Sequence, residues 1–287
     1  MCRETRSRFR APVRALAGLA LGWVLFAATA NAKTAPAPVP LLSYADFADL
    51  SDNAPTILRA QVRSVAVVEP ARAPGVRPGW ARLYVEARTV ALLTGAPLTG
   101  DSLRYQADVP LDPKGKVPRL IKREVILFAR TVPARPGELQ LVAPDAQVLW
   151  SPEGEARLRG VLDELLGAGA PGRLRGVQEA IFVPGNLVGE GETQMFLAMA
   201  NGEPASISVV HAPNQPRRWS VSFSEVVDST GAPPRADTLA WYRLACFLPR
   251  RLDPAVNVSA TGEDKAQAGA DYAWVLEQLG PCTRTRG

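Results

Sequence analysis

Four residues are the candidates for chemistry: His211, Glu190, Glu192 and Glu225. His211 is the only histidine in the chain. A hydrolytic triad needs a base within reach of a nucleophile, with an acid to orient it. Ser206, Ser208, Ser220, Ser222 and Ser224 lie near His211 in sequence, and Glu225, Asp228 and Asp237 follow. The serines sit at alternating positions of strand-like stretches, and none stands on a Gly-x-Ser-x-Gly elbow. His211 follows an apolar run and precedes Ala-Pro, so it reads as an ordinary strand-end histidine, and no residue is assigned a catalytic role. Glu190 and Glu192 stand in Gly189-Glu-Gly-Glu-Thr193. A calcium loop wants more oxygens at regular spacing, so the expectation is a tight turn with solvated acids. One histidine and a pair of disulfide cysteines do not make an ordinary zinc ligand set, and no Walker-type phosphate loop occurs. No cofactor or metal is expected.

The cysteines point to a compartment. Of the three, Cys2 precedes an apolar run, which leaves Cys246 and Cys282. Cys246 lies inside one helical pattern near the C-terminus and Cys282 just beyond another, and a bond between them closes a loop of roughly 35 residues, contributing about 3–4 kcal/mol in the chain-entropy picture. Residues 1–32 read as a secretory signal peptide. Five arginines from Arg3 to Arg14 precede the apolar run Ala15 to Ala28, and Ala30-Asn31-Ala32 is an A-x-A cleavage site before Lys33. The apolar run is about 15 residues, short of the roughly 20 that a spanning helix needs. The expected location is the periplasm or the medium of a bacterium, with no integral membrane span after cleavage. Export also suits a disulfide.

Charge narrows the partners. The whole chain is formally +5. Residues 1–32 carry five Arg and one Glu, so residues 33–287 are near +1. Affinity for nucleic acid needs a clustered basic face. The short clusters Lys114/Lys116/Arg119/Lys122/Arg123 and Arg217/Arg218 read as solvated loop charge, and no nucleic-acid partner is expected.

The elements that position these residues follow from hydropathy period. Residues 33–41 are a Pro/Ala-rich linker, and Ser43 opens a short helix to Leu50. Leu58, Ala60, Val62, Ala66 and Val68 alternate with polar residues, and similar alternation marks strands over residues 83–93 and 103–109. Val125 to Ala129 is uninterrupted and apolar, as in a strand buried on both faces. Leu139 to Val142, with Val148 to Trp150, supplies a fifth strand. Ser151-Pro152-Glu153 starts a helix with an apolar face at Leu158, Val161, Leu162, Leu165 and Leu166. It ends in Gly167-Ala-Gly-Ala-Pro-Gly172, the expected domain boundary.

The stretch Ile57 to Val142 resembles the OB-like barrels of exported bacterial proteins. The matching stretches are Val62-Arg-Ser-Val65, Val90-Ala-Leu-Leu-Thr-Gly95 and Val125-Ile-Leu-Phe128. The resemblance implies a small closed five-stranded barrel, which removes exposed edges. The related netrin-like barrels of secreted inhibitors act through an N-terminal cysteine. Here the expected N-terminus is Lys33, so that mechanism does not carry over.

In the second half, Val177 to Val183 reads as a strand. Asn201-Gly202 separates two more, as in a type I′ hairpin with φ > 0 at both residues. Trp219, Val221 and Phe223 are expected to pack under the C-terminal helices, with Ser220, Ser222 and Ser224 on a solvated face. One helix spans Thr238 to Leu248, capped by Asp237, and another runs from about Glu263 to Leu279.

The expected fold class is α+β, mainly β: an OB-like barrel with a helix over residues 42–168, then an antiparallel sheet with two disulfide-linked helices over 173–287. The expected function is a non-catalytic binding or envelope-associated protein, its partner an envelope protein or glycan. The alternative is an exported hydrolase with a carboxylate site in the interdomain cleft near Glu190, Glu192 and Glu225. Strongly perturbed carboxylates in one deep pocket favour the hydrolase. A shallow apolar patch at the same place favours binding.

Overall fold

The computed structural model describes residues 41–97, 100–224 and 231–286. The expected signal segment with its Ala32–Lys33 junction, the expected linker 33–40 and Glu225 lie outside the described residues. Val39–Gly287 forms one compact unit. It is mixed α+β with more strand than helix. Among the described residues no helix is long and apolar enough to cross a membrane.

Helix α1 (Tyr44–Asp52) starts in a capping box: Ser43 and Asp46 each accept from the other's backbone amide. Six strands follow: β1 (Thr56–Val67), β2 (Trp80–Thr94), β3 (Ser102–Pro110), β4 (Glu124–Thr131), β5 (Leu139–Leu141) and β6 (Gln147–Leu149). They form one sheet in the order β3-β2-β1-β4-β5, with β6 also paired to β4. The expected fifth strand is thus two short ones, both on β4. Val125 to Ala129 is buried throughout, as its unbroken apolar run requires, and Phe47 of α1 packs on Phe128 with ring centroids 6.3 Å apart.

No closed sheet forms. The edges of β3 and β5 meet where Arg104 N donates to Gly137 O at 2.8 Å and Asp108 N to Pro144 O at 2.7 Å. Between those points no ladder runs, because β5 has only three residues and stops short of Pro144, which has no N–H to extend it. A second departure lies in β1. Register jumps from Val62↔Ala87 to Ser64↔Glu86, leaving Arg63 as a bulge. The alternation therefore slips by one. Val65 packs against the core, while Ala66, expected inside, is exposed and Val68 is only half-buried.

Helix α2 (Pro152–Leu166) is capped by Ser151 and buries Leu158, Val161 and Leu162. Leu165 is partly buried, but Leu166 runs off the core into solvent. The second sheet is antiparallel in the order β10-β9-β8-β7. Its strands are β7 (Leu174–Pro184), β8 (Gly191–Met199), β9 (Ser206–His211) and β10 (Arg218–Ser222). Two expectations fail here. Only Gly202 has positive φ, so Asn201-Gly202 is not a type I′ turn; instead Asn201 Oδ1 accepts from Glu203 N inside a longer loop. The serine face is solvated only at Ser224: Ser220 and Ser222 of β10 are buried, as are Ser206 and Ser208 of β9, a central strand covered on both faces from Ser206 to Val209.

Helix α3 (Leu239–Ala245) is capped by Thr238, not Asp237, which has φ 56°. Helix α4 (Gly262–Leu279) has a Thr261/Asp264 capping box. The Cys246–Cys282 disulfide is present, with Cα atoms 5.1 Å apart. The segments 42–168 and 173–287 hold one sheet each, and α1 is one place where they are fastened together. Tyr242 Oη donates to Asp49 at 2.6 Å, Arg243 forks onto Asp52, and Arg284 reaches Asp49.

The C-terminal tail makes this joint acid-sensitive. Asp46 accepts from Thr285 N at 2.8 Å, Thr285 Oγ1 at 2.6 Å and Ser43 Oγ at 2.8 Å. Burial on its own raises this carboxyl, but the hydrogen bonds from Thr285 and Ser43 outweigh it and hold Asp46 below its ordinary value. A lowered folded value means stability fully present above the unfolded value near pH 4 and lost as pH falls through the folded one. In urea unfolding, stability is expected to be flat from about pH 7 to about pH 5 and to fall below about pH 4. Asp46→Asn is expected to cost about 1–2 kcal/mol at neutral pH and to flatten the acid limb.

Candidate functional site

Glu190, Glu192 and His211 meet at one end of the second sheet, where β7 turns into β8. The turn is held from inside. Gly185 N donates to Glu190 O at 2.8 Å, and Glu190 N donates to Leu187 O at 3.0 Å. The Glu190 carboxylate accepts from Asn186 N and Leu187 N, both at 3.1 Å. Gly191 leaves room for the Phe182 ring, which a Cβ there would meet at 2.5 Å. The expected tight turn with solvated acids holds at Glu190, which is exposed and also clamps the turn. With the loop backbone fixed, its apolar side chains face out: Leu187 is 63% and Val188 99% exposed, and Val183 beside them is exposed too.

His211 ends β9 opposite Gly191. Its Nε2 lies 2.8 Å from Oδ2 of Asp271 on α4. Asp271 has no exposed surface. It also accepts from Thr193 Oγ1 at 2.6 Å, Gln267 Nε2 at 3.2 Å and Arg217 Nη1 at 3.2 Å. The Arg217 guanidinium lies over the Trp274 ring at 4.2 Å, and Phe182 meets the imidazole edge-on at 6.0 Å. Arg217 is therefore not free loop charge. Because the carboxylate only accepts, it fixes the tautomer with the proton on Nε2.

This pair supplies the base and orienting acid of a hydrolytic set. The nucleophile is another matter. Among the described residues no serine, threonine or cysteine hydrogen-bonds to His211. Strand alternation explains why: Ile207 and Val209 share its face, so Ser206 and Ser208 take the opposite one. Asp271 escaped the sequence reading, which looked for acids at Glu225, Asp228 and Asp237. Its signal was present in the periodicity. Ala268, Asp271, Tyr272 and Val275 form the buried stripe of α4, and a carboxylate inside an apolar stripe demands partners.

Two adjoining clefts share Pro184, Glu190 and His211. One, about 590 Å³, adds Val183, Glu192, Gln194 and Val210. The other, about 500 Å³, adds Phe182, Thr261, Glu263, Asp264 and Gln267. Both lie wholly within residues 181–267, so Glu190 and Glu192 line clefts at the end of the second sheet and not a cleft between the two halves. Glu192 accepts from Gln194 Nε2 at 3.2 Å. Among the described residues no three His, Cys, Asp or Glu side chains form a group that could hold a metal ion. Gly167, Gly169 and Gly172 have dinucleotide-loop spacing, but they follow a helix and precede a strand, the reverse of the order that chemistry needs. A further cavity of about 610 Å³ follows the open β3–β5 seam, where Arg82 pairs with Asp108 and Arg135 with Glu138. No family model matches the chain, and no curated protein matches it.

Proposed function

We propose that this chain is an exported, non-catalytic binding protein of the bacterial envelope, and that the β7–β8 tip is its docking point. The observation that carries the reading is the loop itself. A carboxylate proposed for chemistry instead clamps two backbone amides, and the rigid turn so formed holds Leu187 and Val188 in solvent. Exposed apolar side chains on a fixed backbone lose little entropy on docking. Such a tip suits an apolar pocket on an envelope protein better than a glycan, for which stacking aromatics would serve. The disulfide supports export to the periplasm or medium after cleavage between Ala32 and Lys33. An OB-like first half is part of the proposal: the neighbours β1-β2-β3 and β1-β4-β5, with a parallel bridge between Arg104 and Glu138, support it.

The test is a pull-down from envelope extract with tagged residues 33–287. Leu187→Ser with Val188→Ser is expected to lower recovery of a stoichiometric partner by about 10–100-fold, as loss of an apolar anchor does. Equal recovery by both forms contradicts the reading. A second reading rests on the His211–Asp271 pair: an exported hydrolase using His211 as base. If a broad hydrolase screen finds an activity that His211→Asn abolishes, that reading replaces the first.

A further inference from the structure

The loop from Leu111 to Arg123 joins β3 to β4, and its backbone is pinned throughout. Asp112 Oδ1 accepts from Lys114 N and Lys116 N, both at 2.8 Å. Val117 is half-buried against the core and Leu120 is buried. Lys122 N donates to Val62 O at 2.9 Å, Val62 N to Arg123 O at 3.0 Å, and Arg123 N to Leu120 O at 2.8 Å. The turn so closed forces Lys122 to φ 67°, a conformation unusual for a lysine. What the loop presents is selective. Lys114, Lys116, Arg119, Lys122 and Arg123 are all exposed. None of them makes a salt bridge or side-chain hydrogen bond among the described residues. Ile121 stands among them, 57% exposed at the tip of the turn.

We propose that this loop is a peripheral contact with an anionic lipid surface. Five unpaired cations within ten residues are a local excess, since residues 33–287 together are near +1. Their charge complements phosphate headgroups, and the apolar side chain at the centre of the cluster enters the headgroup boundary. A soluble polyanion needs the cations but gives Ile121 no role. The contact lies on the first sheet, away in sequence from the β7–β8 tip, and goes beyond the function proposed above.

The test is sedimentation of residues 33–287 with phosphatidylcholine vesicles with and without about 30% phosphatidylglycerol, over a salt series. Binding is expected only with the anionic lipid, weakening as salt rises. Each cation near such a surface contributes about fivefold in partition. The variant Lys116→Gln/Arg119→Gln/Lys122→Gln/Arg123→Gln is therefore expected to bind at least about 100-fold more weakly. Ile121→Ser is expected to lose about tenfold with an unchanged salt slope. Equal partition onto neutral vesicles, binding indifferent to salt, or a four-site variant that binds like the parent each overturns the proposal. So does an Ile121→Ser form that binds unchanged while heparin displaces the parent, which makes the loop a polyanion site. The salt series on the parent chain decides the matter even if a variant fails to fold.

Discussion

Replacing Arg243 by methionine is expected to lower the unfolding free energy by about 3–5 kcal/mol, with the disulfide intact. Arg243 is 3% exposed. Its Nη1 and Nη2 meet the two oxygens of Asp52 at 2.5 and 2.9 Å, and its Nε donates to Pro171 O at 3.0 Å. Methionine keeps much of the packing of the side-chain stem but leaves the Pro171 carbonyl and the Asp52 carboxylate short of donors. Arg173, which also reaches Asp52 at 3.0 Å, offsets part of the loss and places the result toward the lower end. The position of the pair makes the effect global. Asp52 ends α1 on the first sheet, Arg243 lies in α3 of the second half, and Pro171 sits in the connection between them. Urea unfolding of the parent is expected to be a single transition. A loss below about 1 kcal/mol, or a second transition appearing only in the parent, means that this pair does not join the halves.

Asp271→Ala is expected to cost a similar amount, about 3–5 kcal/mol. The carboxylate is fully buried and takes four donors, from Thr193, His211, Arg217 and Gln267. The last three reach partly exposed space and can turn to water. Thr193 cannot, because it is fully buried, and an unsatisfied buried hydroxyl alone costs about 1–3 kcal/mol. Asp271→Asn keeps the shape and one acceptor, with an expected cost of about 2 kcal/mol. This milder variant also separates the two functional readings. It alters the orientation of His211 while leaving the Glu190 clamp and the Leu187–Val188 tip intact. Partner recovery is expected to be unchanged in Asp271→Asn, whereas an activity based on His211 should fall steeply.

What could be read from the sequence is what local chemistry decides. Ser43, and Ser151 with Pro152, mark helix starts that the structure reproduces. The unbroken run Val125 to Ala129 is buried throughout, and two cysteines beside helical patterns are joined. The failures share a cause, since each depends on a partner distant in sequence. The bulge at Arg63 reverses the face of half of β1, and only pairing with β2 reveals it. Ser220 and Ser222 read as part of a wet face because alternation gives two faces without saying that both are covered. Barrel closure depended on β5, whose three residues are too few to ladder along β3. At the site, the sequence brought His211 forward but not its acid, because Asp271 lies 60 residues further on. It placed Glu190 in a tight turn correctly, but not the carboxylate's role as clamp. Nor did it mark Leu187 and Val188, whose significance is their exposure.

Docking through the β7–β8 tip is tested by photo-crosslinking in living cells, from a photoreactive residue at position 188, with position 156 on the exposed side of α2 as control. One defined adduct with an envelope protein is expected from position 188, lost when Leu187 is serine and absent from position 156. Adducts of equal yield from both positions, or none from 188 while the exported protein accumulates normally, contradict it.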